Sequence, residues 1–114
     1  MSIDNLLKKL QTEPQSIAFS DTMATIDAAY NFSETAFNNG DTHNGAGQNN
    51  GSCKLFAFAQ LHHLNQSSTL ALFGDYYRQD VLLHPAATDH GNIRNFIQHG
   101  WEGIEFHGAP LTLK

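Results

Sequence analysis

Cys53 is the only cysteine in the chain, and it stands where a polar loop meets an apolar run. Asn49, Asn50, Gly51 and Ser52 favour turns and helix starts, because short polar side chains satisfy free helical amides. Leu55, Phe56, Phe58, Ala59 and Leu61 then follow as a segment apolar enough to be buried on most sides. A thiol in the first turn of that helix would feel the positive end of its dipole, which lowers the pKa and favours thiolate. With a histidine in hydrogen-bond reach, such a thiol is a nucleophile. Seven histidines are available, and His43, His90 and His107 lie in polar contexts. Lys54 would add to the thiolate character if it points the same way. The competing reading makes Cys53 a small hydrophobe packed at a helix start.

Two charged groups stand out further along. Arg78 has Asp75 and Asp80 close by in F-G-D-Y-Y-R-Q-D-V, and Arg94 follows Asp89 and His90. A planar guanidinium can clamp a carboxylate or phosphate, and it equally serves a structural ion-pair network. Together with Asn49 and Lys54, these residues form the candidate ligand-binding set: Asp75, Arg78, Asp89, His90 and Arg94. No metal and no cofactor is expected. His62 and His63 are neighbours, so on a helix they project about 100° apart and cannot share an ion as an i, i+4 pair would. His84, Asp89 and His90 could converge in a loop, but Asp89 reads more simply as a helix cap. The chain has no H-E-x-x-H, G-x-G-x-x-G, Walker or G-x-S-x-G pattern.

The 114 residues suit one domain with a normal core. One cysteine cannot form an internal disulfide, which points to a reducing cytoplasm. The start, M-S-I-D-N-L-L-K-K-L-Q, lacks the basic region and apolar run of an export signal. No apolar stretch reaches the roughly 20 residues of a membrane span. Net charge is −5, and only six Lys and Arg are spread along the chain. Phosphate backbones need clustered cations, so neither a nucleic acid nor an anionic membrane is expected as a partner.

The elements that must position these groups can be read in order. Ile3, Leu6, Leu7 and Leu10 make one helical stripe over residues 2–11, with Ser2 as cap. Pro14 opens a second helix, whose apolar positions Phe19, Met23, Ile26 and Tyr30 carry it to about Tyr30. Phe32 to Phe37 reads as extended and Asn39-Gly40 as a turn, followed by a long Gly- and Asn-rich loop over 40–52. A buried helix spans 53–64. Ser67 or Ser68 caps the next one, which runs through Leu70, Phe73 and Tyr77 towards Val81 and stops at His84-Pro85. Asp89 caps a last helix with Ile93, Phe96 and Ile97 facing inward and Gly100 at its C-cap. Ile104 and Phe106 alternate with Glu105 and His107, a strand expected to pair with residues 32–38. The fold class is therefore α+β: a small single domain, about five helices and a short antiparallel β-ribbon.

Several of these stretches match a known pattern. T-A-F-N-N-G (35–40), Q-N-N-G-S-C-K-L-F-A-F-A (48–59), L-A-L-F-G-D-Y-Y-R-Q-D-V-L (70–82), His84-Pro85, D-H-G-N-I-R-N-F (89–96) and G-W-E-G-I-E-F (100–106) resemble the HopJ family. These are small bacterial proteins named after type III effectors of plant pathogens, and the match covers most of the chain from Tyr30 on. The resemblance implies no particular reaction. It implies a bacterial protein, at work in the cytoplasm or passed to a host through a type III system. An amphipathic helix at the start is unlike the Ser-rich disordered N-terminus such export uses. The expected function is a small binding module for a protein or small-molecule partner. The alternatives are a thiol enzyme using Cys53 and a purely structural role for the polar residues.

Overall fold

The computed structural model describes residues 1–114. Helix α1, Ile3–Thr12, starts on the expected cap: Ser2 Oγ accepts the Asn5 N–H at 3.1 Å. Its stripe buries Leu6 and Leu10. Pro14 does not open a long helix; it opens a single 3-10 turn, Pro14–Ser16, and Ile17 and Ala18 are extended. Asp21 reaches back to the Ala18 N–H at 3.4 Å, and this fixes the start of α2 at Phe19–Ala29.

Two antiparallel sheets follow. Strand β1, Tyr30–Phe32, pairs with β5, Leu111–Leu113, near the other end of the chain. Strands β2 (Phe37–Asn39), β3 (Thr42–Asn44) and β4 (Ile104–Phe106) make a sheet of order β3-β2-β4. The ribbon expected between residues 32–38 and the 104–106 strand therefore forms through β2, with Phe37 opposite Phe106 and Asn39 opposite Ile104. Phe32 lies outside it, opposite Leu111. The Asn39-Gly40 turn closes the β2–β3 hairpin, with Gly40 at φ 58°. Half of the expected 40–52 loop is thus strand and helix.

Helix α3, Asn50–Leu61, starts three residues earlier than expected and is the core of the molecule. Cys53, Leu55, Phe56, Ala57, Phe58 and Ala59 are all buried. Phe56 is ringed by Phe37, Phe73, Phe96 and Trp101, with centroids 4.9–6.4 Å away. Burying one such ring stabilises by about 1.5–3 kcal/mol.

The next helix is short. Helix α4, Gln66–Ala71, is capped by Asn65, which accepts the Ser68 N–H at 2.8 Å, rather than by Ser67 or Ser68. It cannot run on to Val81, because Gly74 turns left-handed at φ 64°. A Cβ there would meet Phe19 N at 2.7 Å, so only glycine lets the two segments touch. The chain re-enters as a π-helical segment, Tyr76–Val81. Helix α5, Gly91–His99, ends at Gly100 as expected and passes through a 3-10 turn, Gly100–Gly103, into β4. Ile93 and Phe96 face the core, but Ile97 is 40% exposed. Its neighbour on that side is the turn after the π-helical segment, which leaves a groove instead of a cover.

Candidate functional site

Cys53 lies inside the first turn of α3, where the dipole argument placed it, but burial outweighs the dipole. The side chain is fully buried, Sγ donates to Thr35 O at 3.6 Å, and burial pushes the thiol up to about 11. This is the opposite of an activated thiol. Lys54 points away to Asp27, at 2.8 Å, with its Nζ 5.0 Å from the Phe32 ring centre.

Asn49 is left-handed (φ 54°) and does not cap α3 with its side chain. Its Nδ2 donates instead to Asn44 Oδ1 at 2.7 Å, joining a buried asparagine network. Asn92 Nδ2 donates to Asn44 Oδ1 at 3.0 Å, and Asn92 Oδ1 accepts from Asn44 Nδ2 (3.2 Å) and Asn39 Nδ2 (3.0 Å). Asn39 Nδ2 also donates to Asn92 O at 2.8 Å. That pair of bonds fixes the amide orientation and leaves the buried Asn39 Oδ1 without a donor. The network holds the β2–β3 hairpin to the starts of α3 and α5. Sequence reasoning singled out Asn49 alone, because buried amides carry no periodicity that separates them from loop asparagines.

Arg78 is a clamp, but on the protein's own backbone. Its Nη2 donates to Ile17 O at 2.6 Å, and Nη1 to Pro14 O at 3.3 Å and Ala71 O at 3.5 Å. It thus ties the segment between α1 and α2 to the end of α4. Asp75 touches it only at 3.5 Å and points into solvent.

Asp89, His90 and Arg94 do come together, beside Asp80. Arg94 Nη2 donates to Asp89 Oδ1 at 2.8 Å and Nε to Asp89 O at 2.6 Å; the guanidinium also reaches Pro85 O and Asp80 O at 3.4 Å. Arg94 holds the Asp89 carboxyl below its ordinary value. Asp89 therefore does not cap α5; the cap position is His90, left-handed at φ 52°. Its Nε2 lies 3.0 Å from Asp80 and 3.8 Å from Asp89, and its ring 5.1 Å from that of Tyr76. No three histidine, cysteine or carboxylate side chains converge as a metal set. Arg94 also forms one wall of a groove of about 280 Å³ with Val81, Leu82, Pro85 and Ile97. Leu82 is 51% and the adjacent Leu83 68% exposed.

A second concavity was not foreseen. Tyr30 OH and His62 Nε2 lie 2.9 Å apart on a groove of about 550 Å³ formed by residues 1–4, the end of α2 and Leu113. Burial raises the Tyr30 pKa and lowers that of His62, so the pair is a neutral hydrogen bond at pH 7. The signal is hidden in the sequence because the two residues are 32 apart and Tyr30 reads there as the end of a helix.

Comparison with known proteins adds the following. The model of the family described as HopJ type III effector protein matches residues 3–111. The crystal structure of VPA0580, titled as a protein of unknown function, superposes with a TM-score of 0.98 at 52% identity, over 100% of this chain and 95% of that one. No curated protein matches the sequence.

Proposed function

Given that the chain belongs to the HopJ family, we propose that it is a binding module with no reaction of its own, whose partner docks on the groove between the π-helical segment and α5. One observation carries this reading: Leu82 and Ile97, 51 and 40% exposed, line a single groove, and Leu83 next to Leu82 is 68% exposed. Apolar side chains gathered on one patch with a polar rim mark an interaction surface. The π-helical segment supports it, since i→i+5 turns are rare and frequent at functional sites.

The rim sets the chemistry of the occupant. Asp80 and Asp89 turn outward beside the groove, whereas Arg94 turns inward to the Asp89 carboxylate and to backbone carbonyls. The surface is therefore acidic on a chain of net charge −5. It suits an apolar segment of a partner protein with basic residues beside its anchors. A thiol enzyme has little support, because a buried Cys53 at about 11 holds no thiolate at pH 7. In this reading the protein works in the bacterial cytoplasm. Delivery through a type III system is the alternative that the family's description carries, and an adenylate-cyclase fusion in competent and deficient strains separates the two.

The test is selection of binders from a random dodecapeptide library, with counter-selection on Leu82→Asp and Ile97→Asp. Both positions are exposed, so far-UV circular dichroism should be unchanged. The expected peptides carry two or three apolar anchors next to Lys or Arg, bind more weakly as salt rises, and lose at least about tenfold in affinity on either variant. Enriched peptides that bind wild type and both variants equally would place the surface elsewhere.

A further inference from the structure

We infer that the cleft between Ala18–Ser20 and Asp75–Tyr76 is a site for an organic cation, an alkylammonium group held by two aromatic rings and a carboxylate. The cleft has a volume of about 250 Å³ and is lined by Ala18, Phe19, Ser20, Asp75 and Tyr76. None of these residues lines the groove beside α5. The inference therefore stands without the docking reading and goes beyond it.

Three observations converge on a cation. The first is the pair of rings. Phe19 and Tyr76 meet at 65° with centroids 5.2 Å apart, so they form a corner rather than a stack. Tyr76 remains 45% exposed although His90 covers it on one side. Both rings line the cleft, and a positive group seated against aromatic rings is attracted by their electron-rich faces, as in sites for quaternary and methylated ammonium. The second is Asp75. Its side chain is 76% exposed, and its single ion-pair contact is the 3.5 Å approach of Arg78. Arg78 spends its short hydrogen bonds on the carbonyls of Ile17, Pro14 and Ala71 and offsets the Asp75 charge from one side only, so the exposed side of the carboxylate can face a ligand.

The third observation is that the walls are built in advance. Gly74 brings the start of the π-helical segment into backbone contact with Ile17, Ala18 and Phe19, and Arg78 ties the same strip from the other side. Phe19 is held in turn by Phe73, nearly parallel at 6.2 Å, and by Gly51 at the start of α3. A site whose walls do not have to be ordered on binding loses less affinity to entropy. Neutral apolar ligands would gain the rings but not Asp75, and anions would meet a repulsive carboxylate.

The experiment is a titration of the full chain, followed by 1H–15N and aromatic 1H–13C spectra. The probes are tetramethylammonium, choline, N-acetyl-lysine methylamide, and 3,3-dimethylbutanol as the uncharged counterpart of choline. The expected result is saturable shifts at residues 18–20 and 75–76 with the cations. Binding should be at least fivefold weaker for dimethylbutanol, for Asp75→Asn and for Tyr76→Leu. Tighter binding of choline than of the lysine derivative would assign the site to a free small molecule, and the reverse to a basic side chain of a partner; either supports the inference. Equal binding of dimethylbutanol and choline would overturn it, as would shifts that never saturate or that lie elsewhere. Asp75→Asn keeps the shape of an exposed side chain, so it separates loss of charge from loss of fold.

Discussion

Replacing Asn44 by alanine tests the view that buried amides, and not apolar packing alone, hold the hairpin to the helices. In the native protein Asn44 Oδ1 accepts from Asn92 at 3.0 Å and Asn49 at 2.7 Å, while its Nδ2 donates to Asn92 at 3.2 Å. Asn44→Ala leaves Asn92 Nδ2 as a buried donor with no other partner. Such a group costs about 1–3 kcal/mol. Asn49 is exposed, so water takes over its lost partner and the bond's loss adds roughly 0.5–1.5 kcal/mol. The sum is a destabilisation of about 1.5–4.5 kcal/mol, a large share of the roughly 5–15 kcal/mol that holds a domain of this kind together. The assay is urea unfolding followed by the single tryptophan, Trp101, which donates to Leu64 O and packs on Phe56 and Phe96. Asn38→Ala is the control, because Asn38 lies on the other face of β2 and its side chain hydrogen-bonds to the exposed His43, outside the buried network. It should stay within about 0.5 kcal/mol. The double variant Asn44→Ala/Asn92→Ala should be less damaging than the sum of the singles by at least about 0.5 kcal/mol, since the orphaned donor is gone. An Asn44→Ala protein as stable as Asn38→Ala, or a strictly additive double variant, would refute the reasoning.

Three further outcomes follow from the geometry. At pH 8 a thiol near 11 is about one part in a thousand thiolate, against roughly one in four for a free cysteine at about 8.5. Native Cys53 should therefore react with iodoacetamide at least about 200-fold more slowly than in urea, read by mass spectrometry. Gly74→Ala should cost about 2–5 kcal/mol by urea titration, combining left-handed strain with a Cβ forced against the backbone at Phe19. Burial lowers the His62 pKa from 6.5, so its contribution to stability is present above that value and is lost as pH falls through the lower folded one. Stability of the wild type should drop more steeply than that of His62→Gln between pH 7 and the folded value, and parallel profiles would contradict the burial.

Much of the fold was legible because its signals are local. Ser2 and the Leu6/Leu10 stripe specify α1, Asn39-Gly40 the hairpin turn, Ile104 and Phe106 a strand face, and Gly100 the end of α5. What was missed depends on distant partners. Tyr30 keeps helical spacing from Ile26, and only pairing with Leu113 makes it a strand residue. Arg78 looks like a ligand clamp until Pro14 and Ile17, more than 60 positions away, present their carbonyls. Asp89 looks like a cap until Arg94 takes its carboxylate and leaves the cap position to His90. Cys53 was placed correctly at a helix start, and of the two readings open there the packed small hydrophobe holds, because burial outweighs the dipole. The acidic rim was partly named in advance through Asp89. The groove it borders needed Ile97 to face outward, against its helical spacing.

The antiparallel pairing of β1 with β5 has a practical consequence for handling the protein. It brings Leu113 to the same groove that residues 1–4 line, beside Tyr30 and His62. Any affinity tag, fluorophore or fusion attached at either end leaves from the mouth of that groove and shadows it. A label meant to be silent would compete with whatever binds there. Joining the two ends through a short linker and reopening the chain in the Gly45–Gly47 turn, between β3 and α3, would leave every strand whole and take the attachment point off that groove's lining.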